Sequence, residues 1–428
     1  MGDLLWPGAE RAGALFTDSA ILEGMLDLEA GWSDALVAHG LAPATAVVEG
    51  DRLLGMLSGA DLGRIGLDAE TTGDVVTPLV STLRNHLQAD GRTDAAAWLH
   101  QGLSSRDVVD TALMLCTATA LRRLELELDA QATALDALAH AHRGTAMRDR
   151  VHAGPAAPTT FGLRAREWHT AIEDARASVV FAHGALPAQV GGEAGTLAHT
   201  VEVARLRGLR NPEQVATAVA RDVATGLGLA PAPAWHTTRH PLTRAGDAFA
   251  AAAGAMGRIA GDVLDLTRPA VGSLGEPAAP RTAAPTPGAQ RALATLVRRA
   301  ALTTPGTAAT LHTLAGTADT DLLSGAWHAE GATLRDLACR TVVAAAHATR
   351  LLEGLRVDVV AMRSHLEGDG ELLAERDAAR ALVADGLDGV EDAAAPEPAP
   401  PAPGEASEFL GVASHVAANV TPSGARRG

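Results

Sequence analysis

Lysine is absent from this chain of 428 residues, so arginine supplies all 35 of its basic side chains. Enzymes that form a Schiff base through a lysine amine, such as aldolases and pyridoxal enzymes, are therefore excluded. A P-loop nucleotide site is excluded as well, because its phosphate-binding loop requires a lysine. A genome rich in G and C, which favours arginine codons, would explain the absence without any functional cause.

Aromatic residues are also scarce. Tyrosine is absent and aromatic side chains make up 3% of the chain, although 47% of the residues are hydrophobic. Strands favour aromatic and β-branched residues, whereas alanine and leucine, which dominate here, favour close-packed helices. The composition therefore predicts an all-α fold with enough apolar surface for a sizeable core.

Cysteine and positive charge are both in short supply. The two cysteines, Cys116 and Cys339, lie in apolar helical patterns and form no CxxC motif, which indicates reduced thiols and no metal site. A net charge of −16 disfavours nucleic acid and anionic membranes as partners. The most apolar long stretch, residues 248–266, is interrupted by charged residues, and no signal peptide precedes it. We therefore expect a cytoplasmic protein.

The apolar pattern divides the chain into three predicted domains. Residues 1–104 form several short helices, and residues 356–428 form a shortened C-terminal helical domain with a Pro/Ala-rich linker and tail. Between them, residues 105–355 form a central bundle of long helices. Its first helix, predicted over 105–144, would be about 60 Å long. The other long segments are predicted at 161–186, 191–227, 240–268, 289–315 and 330–355.

A polar segment precedes the first long helix. Residues 100–111 read His-Gln-Gly-Leu-Ser-Ser-Arg-Asp-Val-Val-Asp-Thr. Ser104 and Asp107 have the spacing of a helix-capping pair, and the free N–H groups of a helix start also attract anions. From spacing alone, capping is the simpler interpretation and anion binding is the alternative.

A second segment places a histidine before a helix start. His152 lies in a stretch broken by Gly and Pro, and Pro158-Thr159-Thr160 follows it. A single histidine is more often structural, but one in a loop before a helix cap is well placed for proton transfer.

These two segments resemble the active-site segments of the fumarase/aspartase superfamily, most closely its 3-carboxy-cis,cis-muconate cycloisomerase branch. Further stretches similar to that branch extend the resemblance over most of residues 15–355. They are 16–29, 189–198 (QVGGEAGTLA), 235–239 (WHTTR) and 325–330 (GAWHAE). The resemblance implies a three-domain all-α chain with a central long-helix bundle, assembled as a homotetramer. It also implies a small carboxylate-bearing substrate and no organic cofactor.

The resemblance implies roles for particular residues. His152 and Ser105 would be catalytic, and the substrate would be bound by four residues: His100, Ser104, Thr159 and Arg239. Ser104 and Ser105 would contact a substrate carboxylate. Two departures lie beside His152, where Val151 and Gly154 stand in place of the family's threonine and glutamine.

A third active-site segment of the superfamily has lost its reactive side chains here. The family loop reads Gly-Ser-Ser-x-Met-Pro-x-Lys-x-Asn-Pro, and its serine is assigned as the catalytic base. The corresponding stretch places Ala283 and Ala284 on the serines, Ala289 on the lysine and Arg291 on the asparagine. Alanine can neither take up a proton nor donate a side-chain hydrogen bond.

Two functions are therefore compatible with the sequence. The first is a diverged lyase or cycloisomerase of specialised metabolism, which cleaves or forms a C–O or C–N bond beside a carboxylate with a different base. The second is a catalytically inactive homologue that serves as a binding or partner subunit.

Overall fold

The computed structural model describes residues 4–149, 158–268, 271–275, 288–318, 325–366, 370–384 and 409–418. Most of these residues are helical, which confirms the all-α prediction. The helices are α1 (Asp18–Ala38), α2 (Gly50–Met56), α3 (Gly59–Thr72), α4 (Val76–Ala89), α5 (Thr93–Trp98), α6 (Ser105–Ala141), α7 (Phe161–Gly184), α8 (Ala198–Leu206), α9 (Pro212–Gly226), α10 (His240–Leu266), α11 (Ala289–Gly316), α12 (Ala326–Glu353), α13 (Val359–Ser364), α14 (Ala374–Ala384) and α15 (Ala413–Ala418).

The first long helix lies where the sequence predicts it. Helix α6 begins at Ser105 and ends at Ala141, just before Gly144, and its 37 residues span about 55 Å. Helices α7, α10, α11 and α12 also lie within a few residues of their predicted bounds. The long-helix pattern was therefore a reliable guide to this part of the chain.

One predicted long helix is wrong. The segment 191–227 was expected to be continuous, but it begins with a loop and then forms the two shorter helices α8 and α9. Asn211 has a left-handed backbone (φ 55°) and Pro212 opens α9, so the helix cannot continue through this point.

Two small antiparallel strand pairs accompany the helices. Strand β1 (Ala146–Arg148) pairs with β2 (Pro158–Thr160), and β3 (Leu274–Gly275) pairs with β4 (Arg356–Val357). The first pair sets Thr159 opposite Met147. The chain thus enters α7 from a short strand.

The chain forms two compact units, and the long helices contribute residues to both. The first contains Met1–Glu125, Ala177–Ala251 and Thr303–Val343, and the second contains Leu126–Arg176, Ala252–Leu302 and Ala344–Gly428. The three-domain boundaries at 104/105 and 355/356 stay a prediction.

In the second unit, buried polar contacts join the long helices. Gln131 of α6 donates through its Nε2 to the Ala345 carbonyl of α12 at 3.1 Å. Trp168 of α7 donates through its indole N–H to Asp262 of α10 at 2.8 Å. A buried polar group that finds its partner on another helix fixes how those helices align.

The C-terminal part of the second unit contains a small apolar cluster. Leu366, Leu372 and Leu373 form a small buried cluster, against which Phe409 packs. Helix α14 is described as far as Ala384. Among the described residues, no helix is long and apolar enough to cross a membrane.

Candidate active site

The carboxylate of Asp107, in the first turn of α6, organises the candidate site. It is fully buried and accepts four N–H groups. They come from the Ser104 backbone (2.9 Å), the Gln189 side chain (2.9 Å) and the backbones of Gly191 (2.9 Å) and Gly192 (2.8 Å). Burial raises the pKa of Asp107 to about 6 against the opposing effect of these hydrogen bonds. At neutral pH the group is therefore mainly an ionised acceptor that ties the 189–192 loop to the start of α6.

Ser104 caps α6, as its spacing predicts. Its hydroxyl accepts the Asp107 backbone N–H at 3.3 Å, while its own backbone N–H donates to the Asp107 carboxylate. This reciprocal pair is the geometry of a capping box, with aspartate in the third position. A role for Ser104 in substrate binding stays a prediction.

Ser105 faces a different helix start. Its hydroxyl donates to the Asp74 carboxylate at 2.9 Å. Asp74 also accepts the backbone N–H groups of Val76 (2.8 Å) and Thr77 (2.9 Å) at the start of α4. The Ser105 hydroxyl can still accept a hydrogen bond, but its proton is directed to a carboxylate. Its proposed catalytic role is untested by this arrangement.

His100 is held by a buried acid. The His100 Nδ1 lies 2.5 Å from the Glu29 carboxylate, and the histidine has a left-handed backbone (φ 63°). Burial favours the neutral ring, but the hydrogen bond and charge of Glu29 outweigh it and raise the pKa of His100. The second Glu29 oxygen is buried without a partner among the described residues. The pair therefore favours the protonated ring more than water would favour it for an isolated imidazole.

Arg239 lies at the centre of a buried ion cluster. Its guanidinium contacts both Asp110 oxygens (2.6 and 2.8 Å) and both Glu330 oxygens (2.5 to 3.1 Å). The Trp327 indole N–H also donates to Asp110 at 2.9 Å, and the Trp235 ring lies 4.8 Å from the guanidinium carbon. Burial opposes the positive charge, but the two acids outweigh it and raise the pKa of Arg239. Its donor groups are thus directed to two protein carboxylates, and its predicted contact with substrate stays a prediction.

His236 lies beside this cluster and the 189–197 loop. The backbone N–H of Trp235 donates to the Gln189 side chain at 2.6 Å, so the chain before His236 is linked to the loop that Asp107 holds. A Cβ on Gly195 would lie 2.5 Å from the His236 ring. Burial first, and then the charges of Arg106 and Arg239, lower the pKa of His236. Its ring is therefore neutral at neutral pH.

Comparisons with known proteins identify the family. A family model described as a lyase matches residues 63–282. The chain belongs to this lyase family, within the fumarase/aspartase superfamily. It is 38% identical to a nitrosuccinate lyase of Streptomyces davaonensis over 86% of this chain and 77% of that protein. It is 34% identical to a 3-carboxy-cis,cis-muconate cycloisomerase of Bradyrhizobium diazoefficiens over 84% of this chain and 77% of that protein. The structure of the 3-carboxy-cis,cis-muconate lactonizing enzyme from Pseudomonas putida matches with a TM-score of 0.76 at 28% identity, covering 87% of this chain and 81% of that one.

These findings confirm the resemblance and show an enzyme of the lyase or intramolecular lyase type. The relatives are named as lyases and cycloisomerases, and none of them supports an inactive partner subunit. Within the described part of the chain, no three His, Cys, Asp or Glu side chains are grouped to hold a metal ion.

Four of the predicted site residues belong to the first unit of this lyase, where three lie in or just before the first turn of α6 and the fourth contacts Asp110 of that helix. They are His100, Ser104, Ser105 and Arg239. Thr159 belongs to the second unit, where the neighbouring Thr160 hydroxyl accepts the Leu163 N–H at 3.1 Å and begins α7. His152 lies outside the described residues.

The third segment is described only in part. Ala283 and Ala284 lie outside the described residues, and Ala289 is the first residue of α11. Arg291, which stands at the family's asparagine, donates to the Leu264 carbonyl near the end of α10 at 3.4 Å. This long contact places a positive charge where the helix dipole favours one.

Sequence reasoning missed five residues that the structure places in or beside the site: Glu29, Asp110, Gln189, His236 and Glu330. All five lie in the segments that carry the family resemblance, and Glu29 is the last residue of the 16–29 stretch. The available signal was therefore the set of matched segments, but periodicity gave no indication of which side chains would meet.

Proposed function

We propose that this lyase eliminates a group from the carbon beside a carboxylate of a succinate-type dicarboxylate, and that nitrosuccinate is the first substrate to test. The similarity to nitrosuccinate lyase over 86% of the chain carries this proposal. Such a reaction breaks a C–N bond beside a carboxylate, which is one of the two bond types that the sequence predicts.

The chemistry of this elimination suits a site with altered catalytic groups. A C–H bond at C3 and the C–N bond at C2 break, a C2=C3 double bond forms, and the products are fumarate, nitrite and a proton. Because nitrite is a weak base, it departs without first being protonated. The site must then only accept the C3 proton and stabilise negative charge as it develops on the carboxylate.

We assign the anion-stabilising part to the start of α6. Ser104 and Ser105 lie there with the first-turn N–H groups of a 37-residue helix, whose positive dipole end favours anions. The raised pKa of His100 favours a second positive charge close by. Proton transfer is assigned to His152 with Ser105, and a further substrate contact to Thr159. Arg239 would reach the substrate only if Asp110 or Glu330 released it.

We also propose a homotetramer in the cytoplasm. Several apolar side chains on the long helices are exposed in the single chain, among them Leu126 (52%), Phe181 (67%) and Leu302 (71%). Long helices with such faces are commonly buried by association with further copies. The assembly would serve a pathway of specialised metabolism.

The direct test is to incubate the purified protein with nitrosuccinate. We expect nitrite, measured colorimetrically, and fumarate, measured by its ultraviolet absorbance, to appear in equal amounts above a protein-free control. Four other family-type substrates should react poorly: 3-carboxymuconate, aspartate, adenylosuccinate and argininosuccinate. These need the missing loop base, whose loss typically lowers the rate by about two to four orders of magnitude.

Two results would contradict this assignment. No nitrite above the control, together with retained binding of dicarboxylates, would instead support the inactive binding subunit. Rapid turnover of 3-carboxymuconate would show that the alanines of the third segment do not stand where the family's serines do.

A further inference from the structure

The search for further functional groups leads to His236. Its Nδ1 is buried and has no hydrogen-bond partner among the described residues, although the residue as a whole is only half-buried. A buried polar atom without a partner is uncommon in a folded protein and calls for an explanation. Neither His100 nor Arg239 leaves a nitrogen in this condition, since both are engaged by acids.

The surroundings of the ring determine which nitrogen carries the proton. A Cβ built on Gly195 would lie 2.5 Å from the ring Cε1 and 3.1 Å from Nδ1, and Gly195 has a left-handed backbone (φ 72°). Nδ1 therefore faces main chain that offers it no acceptor. A proton on Nδ1 would be a buried unpaired donor, so the proton resides on Nε2 instead.

The charge of the ring follows from its neighbours. Burial favours the neutral form, and Arg106 and Arg239 disfavour a further positive charge, whereas Asp110 alone acts in the opposite direction. A neutral ring with Nε2–H is a hydrogen-bond donor and cannot take up a proton at Nε2. In this form the ring acts as a donor to a ligand rather than as the base that replaces the missing serine.

The ring is also linked to the start of α6, and it lies near enough for the charges of Arg106 and Asp110 in that helix to act on it. Gln189 accepts the Trp235 N–H at 2.6 Å and donates to Asp107 at 2.9 Å. Two hydrogen bonds thus connect the residue before His236 to the first turn of α6. In addition, a Cβ on Gly192 would lie 2.9 Å from the Gly102 carbonyl, so the loop that contacts the ring also contacts the segment leading into α6.

We propose that His236 is a substrate-binding residue, which donates its Nε2–H to an anionic oxygen of a dicarboxylate held at the start of α6. This rests on the proposed function for the class of substrate. The half of the ring that remains open to solvent is the half that carries the donor. A neutral donor adds binding and orientation without adding a titrating charge.

The test uses succinate, an unreactive four-carbon dicarboxylate, with binding measured by calorimetry at pH 7.5. His236→Phe keeps a planar ring and removes the donor, and we expect succinate affinity to fall about ten- to a hundredfold, the usual effect of losing a hydrogen bond to a charged group. His236→Gln supplies an amide N–H and should recover most of the affinity. His240→Gln changes an exposed histidine nearby and serves as the matched control.

Thermal melting of each variant identifies misfolding, and His236→Gln keeps the test decisive if the phenylalanine variant does not fold. The proposal is wrong if the wild type does not bind succinate. It is also wrong if all three variants bind succinate as tightly as the wild type does. A third contradicting result would be the loss, in His236→Gln, of an acidic limb near pH 6 to 7 in the pH dependence of kcat, since that limb would report a base. Succinate binding that depends on His236 without any nitrite release would support this site while contradicting the proposed reaction. Nitrite release that is unaffected by His236→Phe would support the proposed reaction while contradicting this site.

Discussion

Replacing Asp107 by asparagine should loosen the candidate site and the fold together. The four N–H groups around this carboxylate divide equally between its oxygens: Gln189 and Gly191 donate to Oδ1, and Ser104 and Gly192 donate to Oδ2. An asparagine has one acceptor oxygen, so its NH₂ group must face two of the four donors.

The size of the effect follows from those two donors. Each buried N–H left without an acceptor costs about 1–3 kcal/mol, so Asp107→Asn should destabilise the protein by about 2–6 kcal/mol. This is a large part of the stability of an ordinary domain, which is about 5–15 kcal/mol. The variant should unfold at a lower temperature or lower urea concentration than the wild type, as followed by far-ultraviolet circular dichroism.

A matched control makes the same chemical change on the surface. Asp222, whose side chain is 51% exposed, pairs with His39 at 2.8 Å. Exposed ion pairs contribute little to stability, so Asp222→Asn should hardly change the unfolding transition. If Asp107→Asn unfolds at the same urea concentration as Asp222→Asn and still binds succinate as the wild type does, the carboxylate does not hold the loop and the reasoning fails.

Three further predictions concern charge, assembly and catalysis. Glu29→Gln should lower the pKa of His100, because the charge and hydrogen bond of Glu29 raise it. The wild type gains stability from this pair below pH 6.5 and loses it as the pH rises through the His100 pKa, and the variant should lack this gain. Equal pH dependences of unfolding in the two proteins would contradict this. Light scattering should give a mass near four times the 43.7 kDa chain, and a monomer would exclude the proposed tetramer. Replacing Ser104 and Ser105 together by alanine should weaken succinate binding, whereas His152→Ala should lower kcat with little change in affinity; a fully active His152→Ala would remove His152 from the mechanism.

Local patterns in the sequence predict the elements well where the physical cause is local. The Ser104 and Asp107 spacing predicts the start of α6, and the structure shows the reciprocal hydrogen bonds of that cap. The error at 191–227 is of the same kind, because Asn211-Pro212 was a visible signal for a break that apolar periodicity outweighed. Helix bounds are therefore largely readable from the sequence.

The partners of the site residues could not be predicted in this way. Arg239 contacts Asp110, which lies 129 residues away in the sequence, and Glu330, which lies 91 residues away. Which of many acids will neutralise a buried arginine depends on how the helices pack, and no periodic signal encodes that choice. The resemblance pointed to Arg239 as a substrate ligand, but only the contacts show that two protein carboxylates already engage it.

Some side chains of the site stabilise the fold and others contribute little to it. Only variants of the second kind report directly on function. Asp107 and Arg239 each make several buried polar contacts, so a loss of activity after changing them has a structural explanation whether or not they touch substrate. Retention of such residues is equally expected in an enzyme and in an inactive homologue. Within the described residues, the Ser105 side chain makes one hydrogen bond, to Asp74, and the buried Nδ1 of His236 has no partner. Substituting these two side chains removes little that stabilises the chain, and a change in ligand affinity at either one therefore reports directly on the site.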